Sequence, residues 1–166
     1  MPTLGGVLKF GVPEELSHSQ ILDIIDRFIN AAEIAKQTGF TGVQLHSAHG
    51  YLLSEFLSPN INNRTDQWGG SIENRSRLLI CIIDGIRAKV GNNYPISIKL
   101  NSSDFQKGGF THEESIEVAK LLNSTSLDLL EISGGTYENF AALEIDSFNL
   151  KKMKTIKPQR STVVRE

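Results

Sequence analysis

The 166-residue sequence predicts an α/β fold built on parallel strands, and three observations carry that prediction. Stretches with apolar residues at helical spacing alternate with short apolar runs bounded by glycine or proline. Two of the helical stretches open on a capping-box pattern. The resulting order is helix, strand, helix, strand, helix, strand, and alternation with short connections implies parallel strands and right-handed crossovers. An open doubly wound sheet and part of a (β/α)8 barrel share this order.

Residues 1–16 hold three glycines and two prolines without periodicity and read as loop. Ser17 followed by Gln20 has the form of a capping box. Ile21, Ile25, Phe28, Ala32 and Ala35 then repeat at helical spacing, widened by Leu22, Ile29 and Ala31, until Gly39 ends the helix. Phe40 to Leu45 reads as the first strand. A long polar loop follows, punctuated by Pro59, Asn60, Asn62, Asn63 and Gly69-Gly70, until Ser71 caps a second helix carrying Leu78, Leu79, Ile82, Ile83, Ile86 and Val90, with Gly91 as its stop. Ile96 to Leu100 is the second strand. Thr111 and Glu114 form a second capping box, opening a helix with Ile116, Val118, Ala119, Leu121 and Leu122. Leu127 to Ile132 is the third strand, closed by Ser133-Gly134-Gly135. Residues 139–166 read as a loop-like tail with a basic cluster (Lys151, Lys152, Lys154, Lys157) and no core stripe.

Composition narrows the function classes. With 39% hydrophobic and 22% charged residues, the chain has the balance of a globular domain. A net charge of −2 without a basic run gives no electrostatic support for a nucleic-acid or anionic-membrane partner. The single cysteine, Cys81, excludes an internal disulfide framework. No apolar run approaches the roughly 18–20 residues of a membrane span, and the N-terminus lacks a signal-peptide pattern. A cytoplasmic protein is the expectation.

The candidate chemistry lies between Gly42 and Arg77. His46 and His49 fall at the end of the first strand, with Tyr51 just beyond, where α/β proteins place functional groups. H-x-x-H without a third clustered ligand is a weak metal signal, and no metal is expected. Imidazole N–H groups can hold a carbonyl or nitro oxygen and stabilise charge developing on it. A phenol is protonated at neutral pH and can donate a proton. Two oxygen-binding donors beside a proton donor suit reduction of an activated double bond, but no side chain supplies hydride, so a cofactor must.

The run HSAHGYLLSEFLSP, followed by NRTD-x-WGGS-x-ENR-x-R, closely resembles the old yellow enzyme family of FMN-dependent NAD(P)H:flavin oxidoreductases. PISIKLNSSDFQKGGF and LDLLEISGGTYE resemble the family's next two strands, so that the likeness covers roughly residues 5–138. The resemblance implies a partial TIM (β/α)8 barrel whose three strands correspond to the fourth, fifth and sixth of the family's eight. It implies FMN as cofactor, NAD(P)H as reductant and a small α,β-unsaturated carbonyl or similar acceptor as substrate. Position by position, it makes His46 and His49 the pair that binds the acceptor's oxygen, Tyr51 the proton donor, and Lys99 the basic residue against the flavin ring. Arg64, Asp66, Trp68 and Glu73 to Arg75 match the signature loop and read as scaffold. Ser133, Gly134 and Gly135 sit on the cofactor side of the third strand, where a plain strand-to-loop turn explains them equally well.

Barrels of this type typically run to about 250 residues. The expectation is therefore a single incomplete domain over 1–166, a fragment lacking much of the FMN site, ending at STVVRE on the approach to a seventh strand. A non-catalytic remnant without cofactor is the alternative. A small nucleotide-binding α/β domain ranks last, because no G-x-G-x-x-G follows a strand.

Overall fold

The structure is a computed structural model that describes residues 14–136 and the strand backbones at 3–4, 8–9 and 162–164. In chain order its elements are β1 (Thr3–Leu4), β2 (Leu8–Lys9), α1 (His18–Gln37), β3 (Val43–Ser47), α2 (Leu52–Leu57), α3 (Ile72–Val90), β4 (Ile96–Asn101), α4 (His112–Leu122), β5 (Leu129–Ser133) and β6 (Thr162–Val164). Strands β3, β4, β5 and β6 form one sheet in that spatial order, and every pairing in it is parallel.

The helices start where side chains satisfy their orphan amides. Ser17 Oγ accepts from Gln20 N, and the Gln20 side chain accepts from Ser17 N at 2.7 Å. Thr111 and Glu114 repeat the exchange at α4, and Ser71 caps α3 through Asn74 N. Gly91 closes α3 at φ 82, a conformation that costs glycine little.

Strand alternation splits the sheet into two faces. Leu45 is in register with Ile98 and Leu130, and all three are buried against the helices. Ile21 and Ile25 of α1, Leu79 and Ile82 of α3, and Val118 of α4 belong to the same core. At Gly85 a Cβ would lie 2.3 Å from Ile29 Cδ1, so the missing side chain is what lets α3 approach α1 this closely. The opposite face carries Gln44 and His46 on β3, Ser97 and Lys99 on β4, and Glu131 on β5. His46, Lys99 and Glu131 form one row across the three strands.

The α/β class and the partial barrel with its parallel strands are as expected, with five differences. The third strand runs over Leu129–Ser133 rather than from Leu127 to Ile132, so Ser133 belongs to the strand and not to the turn after it. Residues 1–16 are not all loop, because β1 and β2 pair antiparallel, Thr3 with Lys9 and Leu4 with Leu8. The first strand begins at Val43 rather than Phe40 and runs to Ser47, which puts His46 inside it. Phe40 is 67% exposed, and Gly42 abuts Pro95, where a Cβ would lie 3.0 Å from the proline carbonyl oxygen. Part of the long loop is the helix α2, whose Leu53, Phe56 and Leu57 are buried; six residues are too few to show a period. Finally, β6 adds a fourth parallel strand within the stretch read as a tail, with Val163 beside Leu130. Most of residues 139–166 lie outside the described residues, the basic cluster among them.

Candidate active site

The open face of the sheet converges on the C-terminal end of β3. His46 projects from the strand itself. The chain then turns through Gly50, at φ 81, and His49, at φ 64, so that both histidines reach one place. The His49 ring lies edge-on to His46 with centroids 5.1 Å apart, and the Tyr51 ring lies 5.2 Å from His46 on another side. Tyr51 occupies the N-cap position of α2 and is 55% exposed. Three of the residues singled out in the sequence are thus brought together. The fourth, Lys99, stands directly beside His46 in the sheet register.

Lys99 is held by a residue the motif reading passed over. Its Nζ is 2.7 Å from Glu131 Oε1, while Gln44 Nε2 donates to Glu131 Oε2 at 2.7 Å. Burial alone would push the Glu131 carboxyl up, but the hydrogen bonds from Lys99 and Gln44 and the lysine charge outweigh it and hold the carboxyl below its ordinary range. Burial, followed by the Lys99 charge, lowers the His46 pKa; burial, His46 and Lys99 lower that of His49. Both rings are therefore neutral at neutral pH, each with one N–H donor and one lone pair.

Asn101 and Ser133 complete the frame. The buried Asn101 side chain accepts from His49 N at 3.2 Å through Oδ1 and donates through Nδ2 to Asp104 Oδ1 at 3.0 Å and Gly135 O at 2.8 Å. Ser133 Oγ is 2.6 Å from His49 Nε2. A period of two, applied from His46 and Lys99, places Gln44 and Asn101 on the same face of their own strands. Glu131 and Ser133 lie on another strand, and only the pairing of β4 with β5 brings them there.

The signature loop does different work. Arg64 grips Asp66 bidentately at 3.0 and 2.6 Å and donates to Leu16 O at 2.7 Å. Trp68, 3% exposed, donates its indole N–H to His18 Nδ1 at 3.0 Å, which ties the loop to the start of α1. The buried Arg75 binds Leu57 O, Gly70 O and Glu114 Oε1, joining α2, the loop and α4. These residues bond to one another, to backbone and to the side chains of Glu15, His18 and Glu114, none of which belongs to the polar row.

A family model described as NADH:flavin oxidoreductase / NADH oxidase family matches residues 7–161. The chain belongs to this family. A Thermoanaerobacter brockii protein named NADH oxidase is 43% identical over 131 residues, covering 79% of this chain and 20% of the relative. An NADH-dependent flavin oxidoreductase of Aspergillus parasiticus is 42% identical over 130 residues, covering 78% and 29%. Among solved structures, a 2-naphthoyl-CoA reductase bound to 2-naphthoyl-CoA superposes with a TM-score of 0.85 at 38% identity, covering 92% of this chain and 24% of that one. An old yellow enzyme homologue from Zymomonas mobilis gives 0.77 at 27% identity, covering 95% and 44%. The chain therefore spans well under half the length of these relatives.

Members of the family use FMN and NAD(P)H. The donor set of the open face fits one side of a flavin ring, whose pyrimidine edge is lined with oxygen and nitrogen acceptors. Lys99 contributes an ammonium to that set, its charge paired with Glu131. No helix among the described residues is long and apolar enough to cross a membrane.

Proposed function

We propose that the chain carries the substrate-activating side of an FMN-dependent oxidoreductase site of the old yellow enzyme type, within an incomplete barrel domain spanning residues 1–166. The observation that supports this best is the clustering of His46, His49 and Tyr51 beside Lys99 at the end of one strand. Bound FMN, reduced by NAD(P)H, would supply hydride. His46 and His49 donate hydrogen bonds to the carbonyl or nitro oxygen of a small activated alkene. They draw charge onto that oxygen as it develops, without an ionised side chain competing for the bond. Tyr51 gives its hydroxyl proton to the alkene carbon next to the activating group. Lys99, steadied by Glu131, presents positive charge toward the flavin ring and favours its reduced, anionic form. The reacting molecule is an α,β-unsaturated carbonyl compound or a close analogue.

Titration of the chain with FMN, followed by flavin fluorescence quenching, comes first. Saturable binding that weakens in Lys99→Met supports the cofactor side, and saturable binding of equal strength in Lys99→Met overturns the role given to Lys99. In the flavin-loaded protein, Tyr51→Phe should slow alkene reduction by about 10²–10⁴-fold, the usual contribution of a general acid, while leaving flavin reduction by NAD(P)H unchanged. Equal loss in both half-reactions would rule out the proton-donor role.

A further inference from the structure

For His49 to grip an acceptor's oxygen it must present a hydrogen, and a neutral imidazole has only one. Its Nε2 is already engaged, 2.6 Å from Ser133 Oγ. Two arrangements are open. Either Nε2–H donates to the serine and leaves Nδ1 a bare lone pair, or the serine hydroxyl donates to Nε2 and the ring hydrogen sits on Nδ1. Only the second leaves the ring a hydrogen for an acceptor's oxygen, because in the first the one N–H is spent on the serine.

Both partners are pinned by their backbones, so the contact is built into the fold. Ser133 pairs with Asn101 in the sheet register, and its carbonyl accepts from Ser102 N at 2.6 Å. His49 N bonds Asn101 Oδ1, and His49 bridges in parallel to Thr136. One residue, Asn101, thus sets the spacing between the end of β5 and the turn after β3. Burial and the neighbouring His46 and Lys99 keep the His49 ring neutral, the state in which the two tautomers differ.

We propose that Ser133 is a positioning residue that selects the Nδ1–H tautomer of His49 by donating its hydroxyl to Nε2, turning the ring's remaining nitrogen into a donor for the substrate's oxygen. The assignment rests on the function proposed above, since only the Nδ1–H tautomer leaves His49 a hydrogen for the acceptor.

The test is long-range ¹H–¹⁵N NMR of the ¹⁵N-labelled full chain at pH 7.5, with His49 signals assigned by their loss in His49→Asn. The expected pattern is a pyrrole-type Nδ1 and a pyridine-type Nε2. It should be retained in Ser133→Thr and shift toward Nε2–H in Ser133→Ala. A pyrrole-type Nε2 in the unmodified chain overturns the proposal, as does a Ser133→Ala chain whose His49 pattern does not change. Because the unmodified chain is itself decisive, a poorly folded variant does not blunt the result. Phenol, added as an oxygen-bearing probe, separates the two readings. If the tautomer is as stated but phenol moves neither His46 nor His49 signals, the tautomer assignment stands and the oxygen-binding function falls.

Discussion

The two faces of the same sheet are made from alternate residues of the same strands, yet they obey different rules. On one face Leu45, Ile98 and Leu130 are sealed under helices and contribute burial alone. On the other, Gln44, His46, Lys99 and Glu131 lie one residue away and trade hydrogen bonds and charge. The apolar face tolerates only changes of shape, and each loss costs stability. The polar face holds titratable groups whose loss should change chemistry more than folding. A shift of one residue in register would exchange the two sets, so a single pairing register fixes core and site together.

The contrast can be tested by where substitutions hurt. Largest is the loss expected at Arg75, which underpins the covered side by joining Leu57 O, Gly70 O and Glu114. Arg75→Met should lower stability by about 3–5 kcal/mol, the scale for breaking a buried pair and stranding its partner, read as a drop in the urea midpoint. Next is Ile98→Ala on the helix face, where a fully buried side chain leaves a cavity worth about 2–5 kcal/mol. His46→Ala, next to Leu45 in the chain but on the open face, should move the midpoint by much less. Comparable losses for Ile98→Ala and His46→Ala would erase the distinction between the faces.

The smallest effect is a dependence on pH to which the polar face contributes at two points. His46 and His49 titrate below the ordinary imidazole value of 6.5 in the fold. The unfolded chain therefore takes up their protons first, and stability falls as pH drops from 6.5 through the folded values. The carboxyl of Glu131, held below its ordinary 4.5, adds stability that is present above that value and lost as pH falls through the folded one. Urea midpoints measured against pH should show the upper loss disappear in the His46→Ala/His49→Ala double variant and the lower one shrink in Glu131→Gln, the share of Asp66 remaining. Ile98→Ala should lower the whole curve without changing its shape.

Much of this was legible in the sequence because the signals were local. Ser17–Gln20 and Thr111–Glu114 satisfy helix amides three residues away, so their capping boxes could be read directly. The stripes at Ile21, Ile25, Leu78 and Ile82 repeat with the helical period. His46, His49 and Tyr51 lie within six residues, and any turn there brings them close. Short or distant features were harder to read. The helix α2 completes too few turns to show a stripe, and β6 is three residues whose strand character comes from pairing with β5.

The sequence by itself determined the alternation of helices and strands, the choice of candidate site side chains and the family to which the chain belongs, because each rests on residue type and short spacing. Only the tertiary structure decided which groups control those side chains. Glu131 reaches Lys99, Asn101 reaches the His49 backbone and Ser133 reaches its ring across 32, 52 and 84 residues of chain. Hydrogen bonds act over about 3 Å, and which residues come that close is set by strand register, which no short stretch of sequence contains.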